Sequence, residues 1–149
     1  MMSGKHSKIA SALAVGLALL LSSACTQNPT RQGMNLIDEG KFEEAITLLK
    51  PLAEQTPDDW GVQQALGDAY FNRALQLWGE GEKIPQSKPL MDAFENAKNY
   101  YKRAYDIHSD TWLMTRMGRI ADALSNVDVP DFHFRIREMK QKGWIKAAK

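Results

Sequence analysis

Gly33 recurs as Gly67 after 34 positions, and Leu36 recurs as Tyr70 at the same interval. A second offset runs through the same stretch. Phe42, Ala45, Leu49 and Leu52 return as Phe94, Ala97, Tyr101 and Ala104, each 52 positions on. A chain that repeats small and large residues in register is built from repeated supersecondary units, each burying its apolar face only against its neighbours. The second offset exceeds the first by 18 residues, which places an insertion around residues 75–88. There the chain runs Gly79-Glu80-Gly81 and then carries Pro85 and Pro89.

The repeating unit reads as helix. After Arg31 valine is scarce, alternating apolar runs are absent, and apolar residues recur at i, i+3 and i+4. Within residues 41–55, Phe42, Ala45, Ile46, Leu49, Leu52 and Ala53 share one face, with Gly40 and Pro57 as boundaries. Pro51 is the misfit, because an interior proline costs ~3 kcal/mol and predicts a bend or an irregular last turn. Residues 60–78 form a second helix with Leu66, Ala69, Tyr70, Ala74 and Leu77 inward, and residues 79–89 read as a loop. Residues 91–108 carry Phe94, Ala97, Tyr101, Ala104 and Tyr105 at helical spacing, and residues 111–125 follow. After a turn over 126–130, a last helix from Asp131 carries Phe132, Ile136, Met139 and Trp144. Small residues such as Gly67 and Ala97 are expected where two helices approach closely, with Tyr70 and Tyr101 filling the space around the contact.

These positions resemble the tetratricopeptide repeat, a 34-residue helix–turn–helix unit. The residues that carry the resemblance are Leu66-Gly67 followed by Tyr70, then Ala97, Tyr101 and Ala104, and the closing Pro57 of the first unit. Met117-Gly118 and Ala121 outline a third first-helix. The resemblance implies an all-α fold: a short tetratricopeptide-type helical solenoid of about two and a half repeats over residues 29–125. Residues 131–149 would then form a C-terminal capping helix on a domain spanning 32–149. The inserted loop, Pro51, and Ala121 in an aromatic place depart from the family pattern.

The family's first helices line a groove, and Gly33, Gly67 and Gly118 set the register for carrying its positions over. They fall on Met34, Ile37 and Asp38, on Gln64, Asp68, Phe71 and Asn72, and on Trp112, Thr115, Arg119 and Asp122. Phe71 and Trp112 are the leading partner anchors, since aromatic residues dominate interfaces, unless they pack against a neighbouring repeat. The lysine and asparagine set that clamps a terminal carboxylate in some family members is not reproduced. In the loop, Trp78 and Ile84 are candidate partner contacts. The alternative is an insertion tolerated at the edge of the array.

Ahead of the repeats, Lys5 and Lys8 precede an uncharged stretch over residues 9–21, then Ser22-Ser23-Ala24. This is the pattern of a cleaved export signal, and its apolar core is too short for the ~20 residues of a membrane-spanning helix. The only cysteine, Cys25, follows directly, so the segment resembles a bacterial lipoprotein signal. That resemblance implies removal of residues 1–24, a lipidated Cys25 and a tether over 25–31. With Thr26 next in place of aspartate, it implies an address at the periplasmic face of the outer membrane. Ser22 stands where that signal usually has leucine, so ordinary cleavage to a soluble periplasmic protein stays open. An unpaired thiol in an oxidising compartment argues for lipidation.

No residue pattern calls for chemistry. His6, His108 and His133 are scattered, no Cys or His pair stands at metal spacing, and no phosphate loop or nucleophile elbow appears. Glu43-Glu44 and Asp58-Asp59 are adjacent pairs that read as helix surface and turn. Without Lys5 and Lys8 the chain is close to neutral, but residues 132–149 hold six basic side chains against Glu138. That tail reads as a solvated helix face, with attraction to an acidic partner or anionic lipid surface as the alternative; an exported protein has no nucleic acid to meet. The expected function is a noncatalytic, cofactor-free adaptor for protein–protein interaction that supports assembly of an envelope complex, such as a pilus or secretion system. A periplasmic ligand-binding accessory of a transporter is the alternative, and a small enzyme subunit a third.

Overall fold

The computed structural model describes residues 28–145, except 80 and 82. The expected export signal, Cys25 and the start of its tether lie outside the described residues. Within them the chain forms α1 (Pro29–Asp38), α2 (Phe42–Gln55), α3 (Trp60–Trp78), α4 (Lys88–Ile107), α5 (Thr111–Leu124) and α6 (Pro130–Gln141). The described residues hold no strand, so the all-α expectation holds. No described helix is long and apolar enough to cross a membrane.

Prolines account for the boundaries that differ from the sequence expectation. α1 takes in residues 29–31 of the expected tether, and α4 takes in residues 88–90 ahead of the expected start, two of them from the loop. Pro29, Pro89 and Pro130 all lie in first turns. A proline fits there because its missing N–H is one the helix does not use. Pro51 sits inside α2, which continues to Gln55. The carbonyl that it leaves without a helical donor belongs to Thr47; both residues are exposed, so that carbonyl is open to solvent rather than buried unpaired.

Helix ends are set by local chemistry. Asn28, Asp59 and Asp110 accept backbone N–H groups of the first turns of α1, α3 and α5. At the other end α1, α5 and α6 finish in the same way, with a left-handed residue after the cap: Gly40 (φ 76°), Asn126 (φ 60°) and Gly143 (φ 73°). The paired backbone bonds Lys41 N to Leu36 O, Val127 N to Asp122 O and Trp144 N to Met139 O close these turns. The last turn reverses the chain, so the expected capping helix over 131–149 ends at Gln141. Trp144 and Ile145 then fold back towards α1, α2 and α3.

The two sequence offsets meet in space. A Cβ on Gly33 would lie 2.5 Å from the Leu49 side chain, and one on Gly67 would lie 2.7 Å from the Tyr101 ring. Leu49 and Tyr101 are the pair related by 52 positions, and each faces the glycine of its own unit. The side-chain-free glycine lets the two helices approach until the large partner fills the gap. Gly118 departs from this: nothing lies within 4 Å of its would-be Cβ.

α3 is the central helix. Eleven of its 19 residues are buried, on all sides rather than along one stripe, as a helix surrounded by others must be. It packs against α1, α2, α4 and α6, while α5 packs on α4. α1 lies beside α3, but α6 rather than α5 takes the corresponding place on the other side of it. The buried core is continuous from Ile37 to Ile145.

Candidate binding groove

Successive turns of α3 present Asp68, Phe71 and Asn72 towards α6. Phe71 is buried by three aromatic or cationic neighbours. Its ring centroid lies 5.0 Å from Phe132 of α6 and 6.4 Å from Phe94 of α4, and the Arg116 guanidinium of α5 sits 4.3 Å above it. Phe132 also stacks on Phe94 at 5.9 Å and meets the edge of Trp78 at 6.5 Å. Such ring pairs each contribute ~0.5–1.5 kcal/mol beyond the area they bury.

Beside this aromatic cluster runs a polar one. The Tyr101 hydroxyl donates to Asp68 Oδ1 at 2.7 Å, and Asn72 Nδ2 donates to the Asp68 carbonyl at 2.8 Å. Burial pushes the Asp68 carboxyl up to about 6, against the Tyr101 hydroxyl and the charges of Arg116 and Arg135, which favour its ionised form. Burial and the same carboxylate hold the Tyr101 hydroxyl well above its ordinary range, so it stays a donor. Arg135 of α6 points Nε and Nη2 at Asn72 Oδ1, each 3.4 Å away, and gives Nη1 to Glu138 at 2.5 Å. Arg119 of α5 pairs with Asp131 of α6.

Together these groups border a cavity of about 520 Å³ between α1, α3, α5 and α6. Met34, Ile37 and Asp38 line it from α1, and Asp68, Phe71 and Asn72 from α3. Arg116 and Arg119 line it from α5, and Asp131, Phe134, Arg135 and Glu138 from α6. At its rim Met34 is 53 % exposed and Phe134 64 %, beside the exposed charges of Asp38, Arg119 and Asp131.

Seven of the residues carried over from the family register therefore come together: Met34, Ile37, Asp38, Asp68, Phe71, Asn72 and Arg119. Gln64, Trp112, Thr115 and Asp122 are not part of the lining. Phe71 is buried and so packs internally, whereas Trp112 meets the edge of Tyr101 at 5.8 Å, carries Arg116 over its ring at 4.9 Å and stays 40 % exposed outside the cavity. Trp78 is 4 % exposed and donates Nε1–H to the Gly81 carbonyl at 3.0 Å, holding the loop to α3. Ile84 is half-buried against the core.

Sequence reasoning missed the contribution of α6 and of Arg116. The register gave α5 positions on either side of Arg116, and α6 was expected at the end of the array. Its only signal was the spacing of Phe132, Ile136 and Met139, which shows a buried face without showing what buries it. Among the described residues no group of three or more histidine or acidic side chains gathers to hold a metal. Compared with protein-family models, with curated proteins and with solved structures, the chain matches none.

Proposed function

We propose that this chain is a noncatalytic adaptor of tetratricopeptide type, held at the periplasmic face of the outer membrane by lipid on Cys25. It joins a protein partner to an envelope assembly through the groove between α1, α3, α5 and α6. In this reading α1–α2 and α3–α4 are two complete units, α5 is the first helix of a third, and α6 packs on α3 rather than pairing with α5. The Gly33–Leu49 and Gly67–Tyr101 approaches, equivalent in both units, support the repeat reading. The observation that carries the functional reading is the groove itself: exposed Met34 and Phe134 border side chains that are already paired or stacked. Exposed apolar side chains set beside charged ones are the composition that protein-recognition surfaces use.

Affinity capture from solubilised membranes tests the reading. The wild-type chain is expected to co-purify an envelope protein, and replacing both exposed rim residues (Met34→Asp with Phe134→Asp) to abolish that capture. Cys25→Ser is expected to move the chain from the membrane fraction to the soluble one. Capture of no protein by the wild type, or capture indifferent to the rim substitutions, would overturn it.

A further inference from the structure

One end of the helical array is apolar. Gly33 of α1 packs on Leu49 of α2, and Gln63 of α3 donates to the Ala53 carbonyl of α2 at 3.1 Å. Along α3 and α4, Phe71 meets Phe94 and Trp60 meets His108, and Trp112 of α5 turns back onto Tyr101 of α4. Successive helices from α1 to α5 therefore run antiparallel, and the starts of α1, α3 and α5 lie with the ends of α2 and α4. Trp60 opens α3, Ile107 closes α4, and Trp112 and Met114 sit in the first turn of α5. Each of these four is at least 40 % exposed, and together they are most of the large apolar side chains left exposed among the described residues. His108, in the turn from α4 to α5, stacks on the Trp60 ring at 4.9 Å and joins α3 to that turn.

The chain before the described residues leads to this same end. Pro29 opens α1 there, and Cys25 stands four positions earlier. Four residues span at most ~14 Å when extended, so lipid on Cys25 would bring this end of the array onto the bilayer. Charge selects the kind of lipid. Residues 51–60 and 106–112 carry Glu54, Asp58, Asp59, Asp106 and Asp110 and no lysine or arginine. Lys102 pairs with Asp106, and Arg31 lies in the first turn of α1. The basic segment around α6 lies elsewhere, since Trp144 beyond it meets Gly40 and Phe42 at the opposite end. Tryptophan, with an apolar ring and a polar N–H, suits headgroup depth, and carboxylates favour headgroups that present an ammonium group over anionic ones. We propose that Trp60, Ile107, Trp112 and Met114 form a face that rests in the headgroup layer of a zwitterionic phospholipid bilayer. That contact orients the array, with the turn between α1 and α2 directed away from the membrane. The proposal rests on the lipid anchor of the adaptor reading.

The lipidated full chain is reconstituted into vesicles of phosphatidylethanolamine and phosphatidylcholine, part of the latter brominated high in its acyl chains. Flotation with the vesicles reports the anchor, and quenching of tryptophan emission by bromine reports the face. The wild type is expected to float and to be quenched. Trp60→Phe with Trp112→Phe is expected to float equally and to lose nearly all of the quenching, because Trp78 is buried and Trp144 lies at the far end. Replacing part of the lipid by phosphatidylglycerol at low ionic strength is expected to weaken the quenching.

A wild-type chain that floats without being quenched overturns the proposal and leaves the anchor standing, whether the face stays bare or a second copy covers it. Quenching undiminished in the double variant overturns it as well, and stronger quenching with phosphatidylglycerol overturns the zwitterionic surface. A chain that does not float overturns the anchor and this proposal with it. Partner capture through Met34 and Phe134 is a separate measurement, so the groove and the membrane face fail separately.

Discussion

At Gly67 the absence of a side chain is what lets α3 meet α4. A methyl there would fall 2.7 Å from Tyr101 Cδ1, and that ring is fully buried and held by its hydroxyl on Asp68. Gly67→Ala should therefore lose ~1–3 kcal/mol of stability through overpacking. Gly118→Ala should gain ~0.5–1 kcal/mol, because its site is open and alanine costs less backbone entropy in a helix. Urea unfolding of the two variants checks this, and effects of equal sign would count against it. Asp68 makes a different demand. Its carboxyl is raised to about 6 in the fold, so the folded chain binds that proton more tightly than the unfolded one. Stability linked to it is complete below about pH 4 and falls as pH rises towards 6, by at most ~3 kcal/mol. Asp68→Asn keeps an acceptor for Tyr101 without the charge. Its stability relative to wild type should rise between pH 4 and pH 7 in urea titrations; a flat difference would sink the idea.

Among the elements, α3 and α6 behave least like stretches of an amphipathic pattern. α3 is buried all round because α1, α2, α4 and α6 surround it. α6 depends on a few large side chains, Phe132 foremost. Phe132→Ala should cost ~3–5 kcal/mol by opening a cavity between Phe71, Phe94 and Trp78. The emission of Trp78 should shift to longer wavelength as water reaches it, and unchanged emission with unchanged stability would contradict the docking of α6. Helix positions for α2, α3, α4 and α5 were readable to within three residues, because each shows helical periodicity ended by glycine, proline or an acidic cap. α1 and the start of α4 were harder. Proline marks a loop and a first helical turn equally well, and only the packing of Gly33 on Leu49 and the burial of Leu90 distinguish them.

At the scale of the described molecule, the turn after α6 closes on the start of α2. The Trp144 ring packs edge-on against Phe42 at 5.8 Å and lies against Gly40, where a Cβ would meet it at 2.4 Å. Gln76 Nε2 donates to the Trp144 carbonyl at 2.7 Å, so α3 fastens the same segment. Contacts that span most of the sequence couple elements which a simple linear stack would leave independent. If Cys25 carries lipid, only three residues separate it from Pro29 and α1, and the groove-lining Met34 and Ile37 follow within that same helix. With that lipid in place, spacing this short would hold the groove near the membrane. The membrane-to-soluble shift expected of Cys25→Ser reports whether the anchor exists.

The sequence by itself determined that the chain is helical and where most helices lie; which large side chain faces Gly33 and Gly67 came from the structure. Periodicity and repeat register are properties of neighbouring positions, and they survive without knowledge of the fold. Seven groove residues followed from the same register, because helical spacing places them on one side of α1, α3 and α5. Only the tertiary structure decided that Phe71 packs inward while Trp112 stays exposed outside the groove, that Arg116 and Arg135 belong to the site, and that α6 packs on α3 and forms one wall of the groove. An apolar stripe shows that a face must be buried. Which surface buries it depends on shape and aromatic packing between residues as far apart as Phe71 and Phe132, and no local pattern encodes that pairing.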